Sequence, residues 1–468
     1  MNNIISGIRK LFSNFLVALR GDETEFTRGS INRAIFLLAV PMVLEMVMES
    51  LFAVVDVYFV AKVGVDAIAT VGLTEFVIMI VYSIGIGLSM AATAVVSRRI
   101  GEKEYKRAGD AAFQSILIAS VFSIVIALVG IVYAEDILRL MGGSEELIRS
   151  GFGYTQVMLG GNLCIILLFL LNAIYRGAGD TAMAMRSLWI ANGLNIVLDP
   201  IFIFGLGPIP AFGIEGAAIA TTIGRSTGVC YQVYGLLGGK RIIKLTIDNI
   251  KVRWATIKDL FSIGAGGMGQ FLIESASWLF LVRIISAFGS EALAGYTIAF
   301  RIIIFTILPS WGLANAAATL VGQNLGAGQP ERAELSVWRT AHMNTAFLFL
   351  VSIVFFVWSP QFVGMFTKEF EVINFGITAL RIICLGYIFF SYGMIISQGF
   401  NGAGDTRTPT VMNVIFFWMI QIPLAYLLAF VFDFGFKGAI ISVATSFGLH
   451  ALACIVWFQR GDWKKIQV

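Results

Sequence analysis

Gly177-Ala178-Gly179-Asp180-Thr181 recurs as Gly402-Ala403-Gly404-Asp405-Thr406, 225 residues further along the chain. The same offset lays Glu49 on Glu274, Asp66-Ala67-Ile68-Ala69 on Glu291-Ala292-Leu293-Ala294, and Arg107-Ala108 on Arg332-Ala333. Two registered copies of one strongly apolar unit are the pattern of a membrane transporter whose binding site lies between its halves.

Composition supports that reading. The 468 residues are 58% hydrophobic and 13% charged, with a mean hydropathy of +0.85, whereas soluble domains carry about 25% charged residues. Apolar runs fall at roughly 33–62, 67–97, 109–133, 152–175, 182–205, 213–237, 257–288, 292–322, 337–358, 375–400, 408–432 and 436–458, each long enough to cross a bilayer. The expected class is an all-α polytopic membrane protein of twelve transmembrane helices. Its organisation is a 1–30 N-terminal segment, a 31–238 lobe, a 239–256 linker, a 257–460 lobe and a 461–468 tail. The N-terminal segment has no cleavage-site pattern. Ile4, Ile5, Ile8, Leu11, Phe12, Phe15 and Leu16 recur at helical spacing beside Arg9, Lys10 and Arg20, which reads either as an interfacial amphipathic helix or as a frayed tail. Cys164, Cys230, Cys384 and Cys454 sit inside apolar runs without ligand spacing, and His342 and His450 stand apart, so neither metal catalysis nor a nucleophilic triad has support. No basic stripe interleaved with aromatics points to nucleic acid.

Lys and Arg set the expected orientation. They cluster before span 1, after span 2 (Arg98, Arg99, Lys103, Lys106, Arg107), in the linker (Lys240, Arg241, Lys244, Lys251, Arg253, Lys258) and in the tail (Arg460, Lys464, Lys465). Twelve crossings put all four on one side, so both termini are expected in the cytoplasm. Six spans per copy make the repeats parallel, related by an axis along the membrane normal.

Acids deep in spans carry the chemistry. On insertion scales an acid at mid-bilayer costs about 2.5–3.5 kcal/mol, so it faces a cavity, a partner or an ion. Span 1 holds Glu45, Glu49 and Asp56 on one helical stripe, downstream of Pro41, which removes a backbone hydrogen bond and lets the helix bend. Span 5 holds Asn195 and Asp199 one turn apart, with Pro200 following. Such an oxygen-rich pocket holds either a shared proton or a hard cation; its bland alternative is an acid pair that only joins two helices. Glu274 in span 7 follows Gly264, Gly266, Gly267 and Gly269, and Leu281 stands at the repeat position of Asp56, so the lobes are chemically unequal. Arg225, Arg283 and Arg301 also fall in or near spans, to snorkel or to pair with acids. Gly101 and Gly326 read as helix C-caps, and the repeated Gly-Ala-Gly-Asp-Thr as a turn whose Asp or Thr caps the next helix.

Val54-Val55-Asp56-Val57-Tyr58, Arg176-Gly177-Ala178-Gly179-Asp180, Asn195-Ile196-Val197-Leu198-Asp199-Pro200 and Gly216-Ala217-Ala218-Ile219-Ala220-Thr221, in this order, resemble the multidrug and toxic compound extrusion (MATE) transporters over about residues 31–460. The resemblance implies a V-shaped bundle of two six-helix lobes exporting organic cations and other amphipathic compounds against H⁺ or Na⁺. It implies cation coupling at Asp56, Asn195, Asp199 and Thr221, bending at Pro41 and a second-lobe acid at Glu274. If the ion is Na⁺, Asp56, Asn195 and Asp199 would hold it. The first-lobe set is similar to the DinF-like branch and Glu274 to the NorM-like one, yet Tyr387–Ser397 lacks the span-10 acid of NorM-like members. Glu45 and Glu49 are additional membrane acids without a family role.

The expected mechanism is secondary active antiport by alternating access, in a monomer in the inner membrane of a bacterial or archaeal cell. Its partners are small-molecule drugs or toxic organic cations and membrane lipid; no cofactor beyond the coupling ion and no catalytic residue is expected. The alternative is a flippase for a lipid-linked saccharide or another lipid, which needs a cationic central cavity. A polytopic membrane enzyme is the rival from another class.

Overall fold

The computed structural model describes residues 2–21, 25–238 and 241–468, and among these the chain is helical with no strand. Lys240, assigned above to the linker, lies outside the described residues. Helix α1 (Asn2–Arg20) precedes α2 (Ile31–Ala61), α3 (Val65–Gly101), α4 (Tyr105–Val132), the short α5 (Ala134–Leu140), α6 (Glu145–Gly160), α7 (Asn162–Gly177), α8 (Thr181–Phe204) and α9 (Ile214–Leu237). The second copy runs α10 (Trp254–Ser286), α11 (Ser290–Gly326), α12 (Pro330–Gly364), α13 (Phe370–Leu385) and α14 (Tyr387–Ala403). It then continues through α15 (Arg407–Asn413) and α16 (Ile422–Tyr426), extended by π-helical turns, to α17 (Gly435–Arg460). The repeat offset carries α3 onto α11 end for end.

Among the described residues, nine helical spans are long and apolar enough to cross a membrane, and the bent pairs α6–α7 and α13–α14 add two more. Helix α9 takes the remaining place, packed on α6, α7 and α8; polar positions such as Thr221, Thr222 and Arg225 dilute its apolarity. Spans 4 and 10, read from hydropathy as single rods, are bent by 41° and 56° at breaks that fall on Gly161 and Gly386, again one repeat apart. A break that keeps both sides apolar leaves no trace in hydropathy, which explains why the sequence reading missed it.

Each copy builds its own apolar core: one spans Val60 to Leu236 and draws in Ile263, the other spans Leu281 to Phe447. Outward faces such as Val121, Ile124, Val125 and Leu128 on α4 and Leu350, Ile353 and Val357 on α12 stay exposed, as a lipid solvent requires. Of the N-terminal segment, α1 is helical; Phe12 and Leu16 are exposed while Ala18 is buried against the start of α2. The linker docks on the first copy: Asp110 pairs with Arg253 at 3.0 Å and accepts from Asn249 at 2.8 Å, and Lys106 meets Asp248 at 3.1 Å. Lys106 draws the exposed Asp248 carboxyl below its ordinary pKa.

The repeated pentapeptide is a turn in both copies. Gly179 and Gly404 adopt φ of +86° and +91°, a left-handed region that favours glycine. Asp180 Oδ1 then accepts from the Met183 amide at 3.2 Å and Asp405 Oδ1 from the Thr408 amide at 3.1 Å, so Asp does the capping in each copy.

The two copies meet through a reciprocal crossing of α3 and α11 near the end that bears the termini. A Cβ on Gly101 would strike the Gln323 carbonyl, a Cβ on Gly326 the Arg98 carbonyl, and a Cβ on Gly322 the Ser97 side chain. These pairs map onto each other through the repeat offset, so the contact lies on the axis relating the lobes. Gly101 and Gly326 are thus the last helical residues of α3 and α11 and are followed by right-handed Glu102 and by Ala327. They are not left-handed caps; they are glycine because two backbones touch there. Nearby, Gln323 Nε2 donates to the Gly177 carbonyl at 3.1 Å and Thr319 Oγ1 to the Arg176 carbonyl at 3.3 Å. Arg98 donates to the Ile466 carbonyl at 2.7 Å, tying the tail of the second copy to the first. Replacing Gly101 or Gly326 with Leu is expected to wedge this crossing apart. In a protein freed of its four cysteines, a cysteine placed at Thr93 should then react faster with a polar thiol reagent reaching it from the termini side.

Candidate functional site

The stripe on α2 faces inward, as its charges demand, and Glu45 and Glu49 meet different helices. Glu45 is 1% exposed; its Oε1 accepts from Arg176 of α7 at 2.8 Å and from Asn172 at 3.0 Å. Asn172 in turn accepts from Gln232 of α9. One turn along, Glu49 accepts from Asn192 of α8 at 2.8 Å and from Arg225 of α9 at 3.3 Å. Glu45 and Glu49, unassigned from sequence, are therefore held by guanidinium groups. Arg225 is a pairing residue and does not snorkel: it is 3% exposed and lies over the rings of Phe52 and Phe169. Arg176 was hidden inside the turn motif. What could have revealed it is that a basic residue just before that turn has no lipid-free place to go except onto an acid of the neighbouring stripe.

Asn195, Asp199 and Thr221 come together. Asn195 Nδ2 donates to Asp199 Oδ1 at 3.2 Å and to Thr221 Oγ1 at 3.1 Å, spending both amide protons. Asp199 is fully buried and Asn195 is 2% exposed, yet Asp199 Oδ2 and Asn195 Oδ1 have no hydrogen-bond partner. Two unpaired oxygens in an apolar surround are what a proton or a hard cation would satisfy. Asp56 is half-buried and within electrostatic reach of Asp199, Glu75 and Arg225, but it makes no side-chain hydrogen bond to the Asn195–Asp199–Thr221 set among the described residues. The sequence grouped these four residues; the structure brings three into contact and leaves Asp56 beside them. Among the described residues no three His, Cys, Asp or Glu side chains cluster as a metal site, so any Na⁺ would rest on the mixed carboxylate, amide and hydroxyl oxygens. Pro41 lies inside α2, which stays helical past it.

Two adjacent cavities with a common wall lie between and behind the copies. The first, about 280 Å³, is lined by Glu45, Glu49, Ser89 and Arg176 on one side and by Trp311 and Asn401 on the other. The second, about 400 Å³, lies in the second copy around Gln270, Glu274, Trp278, Phe417 and His450. Met90, Phe271, Leu308, Trp311 and Gln398 belong to both walls. Glu274 is half-buried and its carboxylate accepts no hydrogen bond among the described residues; Ser277, one turn on, bonds only its backbone carbonyl. It is not neutralised by Ser, Asn or Arg neighbours. His450 was noted in the sequence only as standing apart, and which aromatic rings line a cavity was not legible there, because isolated rings in apolar spans look like packing.

Removing Arg176 alone, as Arg176→Met, leaves Glu45 buried without its counter-charge and is expected to cost about 3–5 kcal/mol. The double variant Glu45→Gln with Arg176→Met removes both charges and should recover part of the loss. Thermal unfolding of the detergent-solubilised variants checks both.

Comparison with known proteins agrees with this architecture. The MatE family model matches twice, at residues 41–201 and 268–427, once in each copy. The probable multidrug resistance protein NorM of Thermotoga maritima is 26% identical over 456 residues, covering 97% of this chain and 96% of its own. Crystal structures described as MATE in the straight conformation and MATE in the bent conformation superpose with TM-scores of 0.88 and 0.87. They are 26% and 25% identical and cover 94% and 96% of this chain and 98% of their own. With its repeats and a family match in each copy, the chain belongs to the MATE family and is a multi-pass membrane transporter, not an enzyme.

Proposed function

We propose that the protein is a secondary active exporter of organic cations and amphipathic drugs, driven by inward movement of H⁺ or Na⁺. The observation that carries this is the unpaired Asp199 Oδ2 and Asn195 Oδ1, buried beside Asp56. In this reading the lobes, joined at the Gly101–Gly326 end, present the cavities to the outside, and that joined end faces the cytoplasm because Lys and Arg cluster there. The protein then sits in the inner membrane with both termini inside. A proton or Na⁺ entering at Asp56 and Asp199 neutralises acids that otherwise repel each other across α2 and α8. Asn195 and Thr221 then reorganise around the occupied site, and α2, already short of one hydrogen bond at Pro41, bends. Bending moves the Glu45–Glu49 stripe into or out of the first cavity and expels the cargo. The name of the Thermotoga maritima relative supports a drug cargo, and the existence of straight and bent forms among similar structures supports bending as the coupled motion.

Each charge moving inward down the membrane potential contributes about 2.3 kcal/mol per 100 mV. Coupling arises only because the ion binds the two states unequally. Glu274 attracts the positive charge of the cargo in the second cavity. The flippase alternative needs free positive charge in the central cavity, but the cationic group lining it, Arg176, is held by Glu45.

Drug efflux from proteoliposomes under an imposed pH or sodium gradient tests the proposal. Asp56→Asn and Asp199→Asn are expected to reduce gradient-driven export by about tenfold or more, an effect of 1.4 kcal/mol or above on coupling, while drug affinity changes little. Export that is unaffected by both substitutions would remove this site from the mechanism. Pro41→Ala is expected to slow turnover without weakening drug binding, since it restores the hydrogen bond whose loss permits bending. Equal turnover in wild type and Pro41→Ala would show that α2 does not bend during transport.

A further inference from the structure

Helix α1 lines neither cavity and takes no part in the Asn195–Asp199–Thr221 set. Its charge has one sign: Arg9, Lys10 and Arg20, with no acid. The helix is fixed at its C-terminal end. Ala18 is buried against the start of α2. Arg186 of α8 donates to the carbonyl of Leu19 at 2.7 Å and to that of Arg20 at 3.0 Å, which a helix end otherwise leaves without partners. The chain that follows is fixed too: Phe26 is buried, and Arg332 of α12 donates to the carbonyls of Phe26, Arg28 and Gly29. Of the two readings open in the sequence, α1 is thus a docked helix and not a frayed tail. The arm that carries it touches both copies, through Arg186 and Arg332.

Docking leaves one side of α1 uncovered. Arg9, Phe12, Ser13, Leu16 and Arg20 line one groove there, at spacings that put them on a single helical face. Phe12 is 63% exposed and Leu16 38%. Going round the helix, buried Ala18 comes first, then half-buried Phe15, then Phe12 and Leu16, and last Arg9 and Arg20. The apolar arc is therefore shared between the protein and whatever lies outside, and its outer edge is cationic. Among the described residues the guanidinium groups of Arg9 and Arg20 have no carboxylate or hydrogen-bond partner.

We propose that this face is a site for anionic phospholipid at the bilayer surface. Helix α1 ends at Arg20 and α2 enters the membrane from Ile31, so α1 lies where acyl chains give way to headgroups. There Phe12 and Leu16 leave water for the acyl boundary, while Arg9 and Arg20 stay among the headgroups. A guanidinium takes a phosphate through two parallel hydrogen bonds. No acid on α1 offsets its charge, so a lipid of net negative charge is preferred to a zwitterionic one. Each Lys or Arg near an anionic surface is worth about fivefold in the binding constant. A second copy of the chain is a poor occupant, because like faces would set Arg9 and Arg20 against themselves.

A fluorophore at Ser13→Cys in the full-length protein reads this, with the exposed Cys230 replaced by Ala and the three buried cysteines left in place. The protein is reconstituted in phosphatidylcholine containing either phosphatidylglycerol or phosphatidylcholine that bears a nitroxide near the top of one acyl chain. Quenching by each gives the relative binding constant of the two lipids at α1. Phosphatidylglycerol is expected to be favoured at least about fivefold. Arg9→Gln combined with Arg20→Gln should bring that preference to about twofold or less, and Phe12→Ser combined with Leu16→Ser should weaken quenching by both lipids. Equal quenching by the two lipids would overturn the proposal, as would a preference that the two Arg substitutions leave intact. Absence of quenching by either lipid would also overturn it, placing the face in water or under a protein partner. The ratio measured before any Arg or apolar substitution decides the matter even if those variants fail to fold, and Ser13 and Cys230 are both exposed, so replacing them disturbs no packing.

Discussion

The carboxylates of α2 constrain the first lobe. An acid in a membrane span must turn away from lipid, and two acids one turn apart leave the helix a single rotation. Once α2 is so placed, Glu45 needs Arg176 and Asn172 from α7, and Glu49 needs Asn192 from α8 and Arg225 from α9. Three helices are thereby oriented around a fourth by charge, before apolar packing fills the remaining space. Lipid tails give helices little hydrophobic reason to associate, so polar contacts of this kind carry unusual weight in a bilayer. They also leave oxygens to spare: Glu45 Oε2 and Asp199 Oδ2 have no hydrogen-bond partner.

The second organising contact is steric. Backbone touches backbone where α3 crosses α11, through Gly101 and Gly326, and the repeat makes the contact reciprocal. A joint built from glycine brings the two backbones together with no interlocking side chains between them. Beside it, the guanidinium–carbonyl bond from Arg98 to Ile466 ties the tail of the second copy to the first. The lobes thus have unequal jobs. The first carries the buried acid–amide–hydroxyl set, and the second carries the larger aromatic chamber with an uncompensated carboxylate.

Much of this was legible in the residues. The repeat, the twelve spans, the inward stripe and the Asn195–Asp199 pair follow from periodicity and from the cost of charge in lipid, both of which are local. Two things were not legible. Bends at Gly161 and Gly386 interrupt helices whose hydropathy is continuous, because an apolar run reads the same whether the rod is straight or broken. And Gly101 and Gly326 read as caps because the sequence shows a helix ending, not what lies against it.

The sequence by itself determined the membrane class, the twofold repeat, the direction in which the acids must point and which oxygens of span 5 would share a face, since each depends on spacing along one helix and on the surrounding solvent. Only the tertiary structure decided which guanidinium meets which carboxylate, that Asp56 stands beside the Asn195–Asp199–Thr221 set without bonding to it, and which oxygens remain unpaired in the cavities. Those outcomes depend on distances between residues far apart in the chain, and no local pattern encodes such distances.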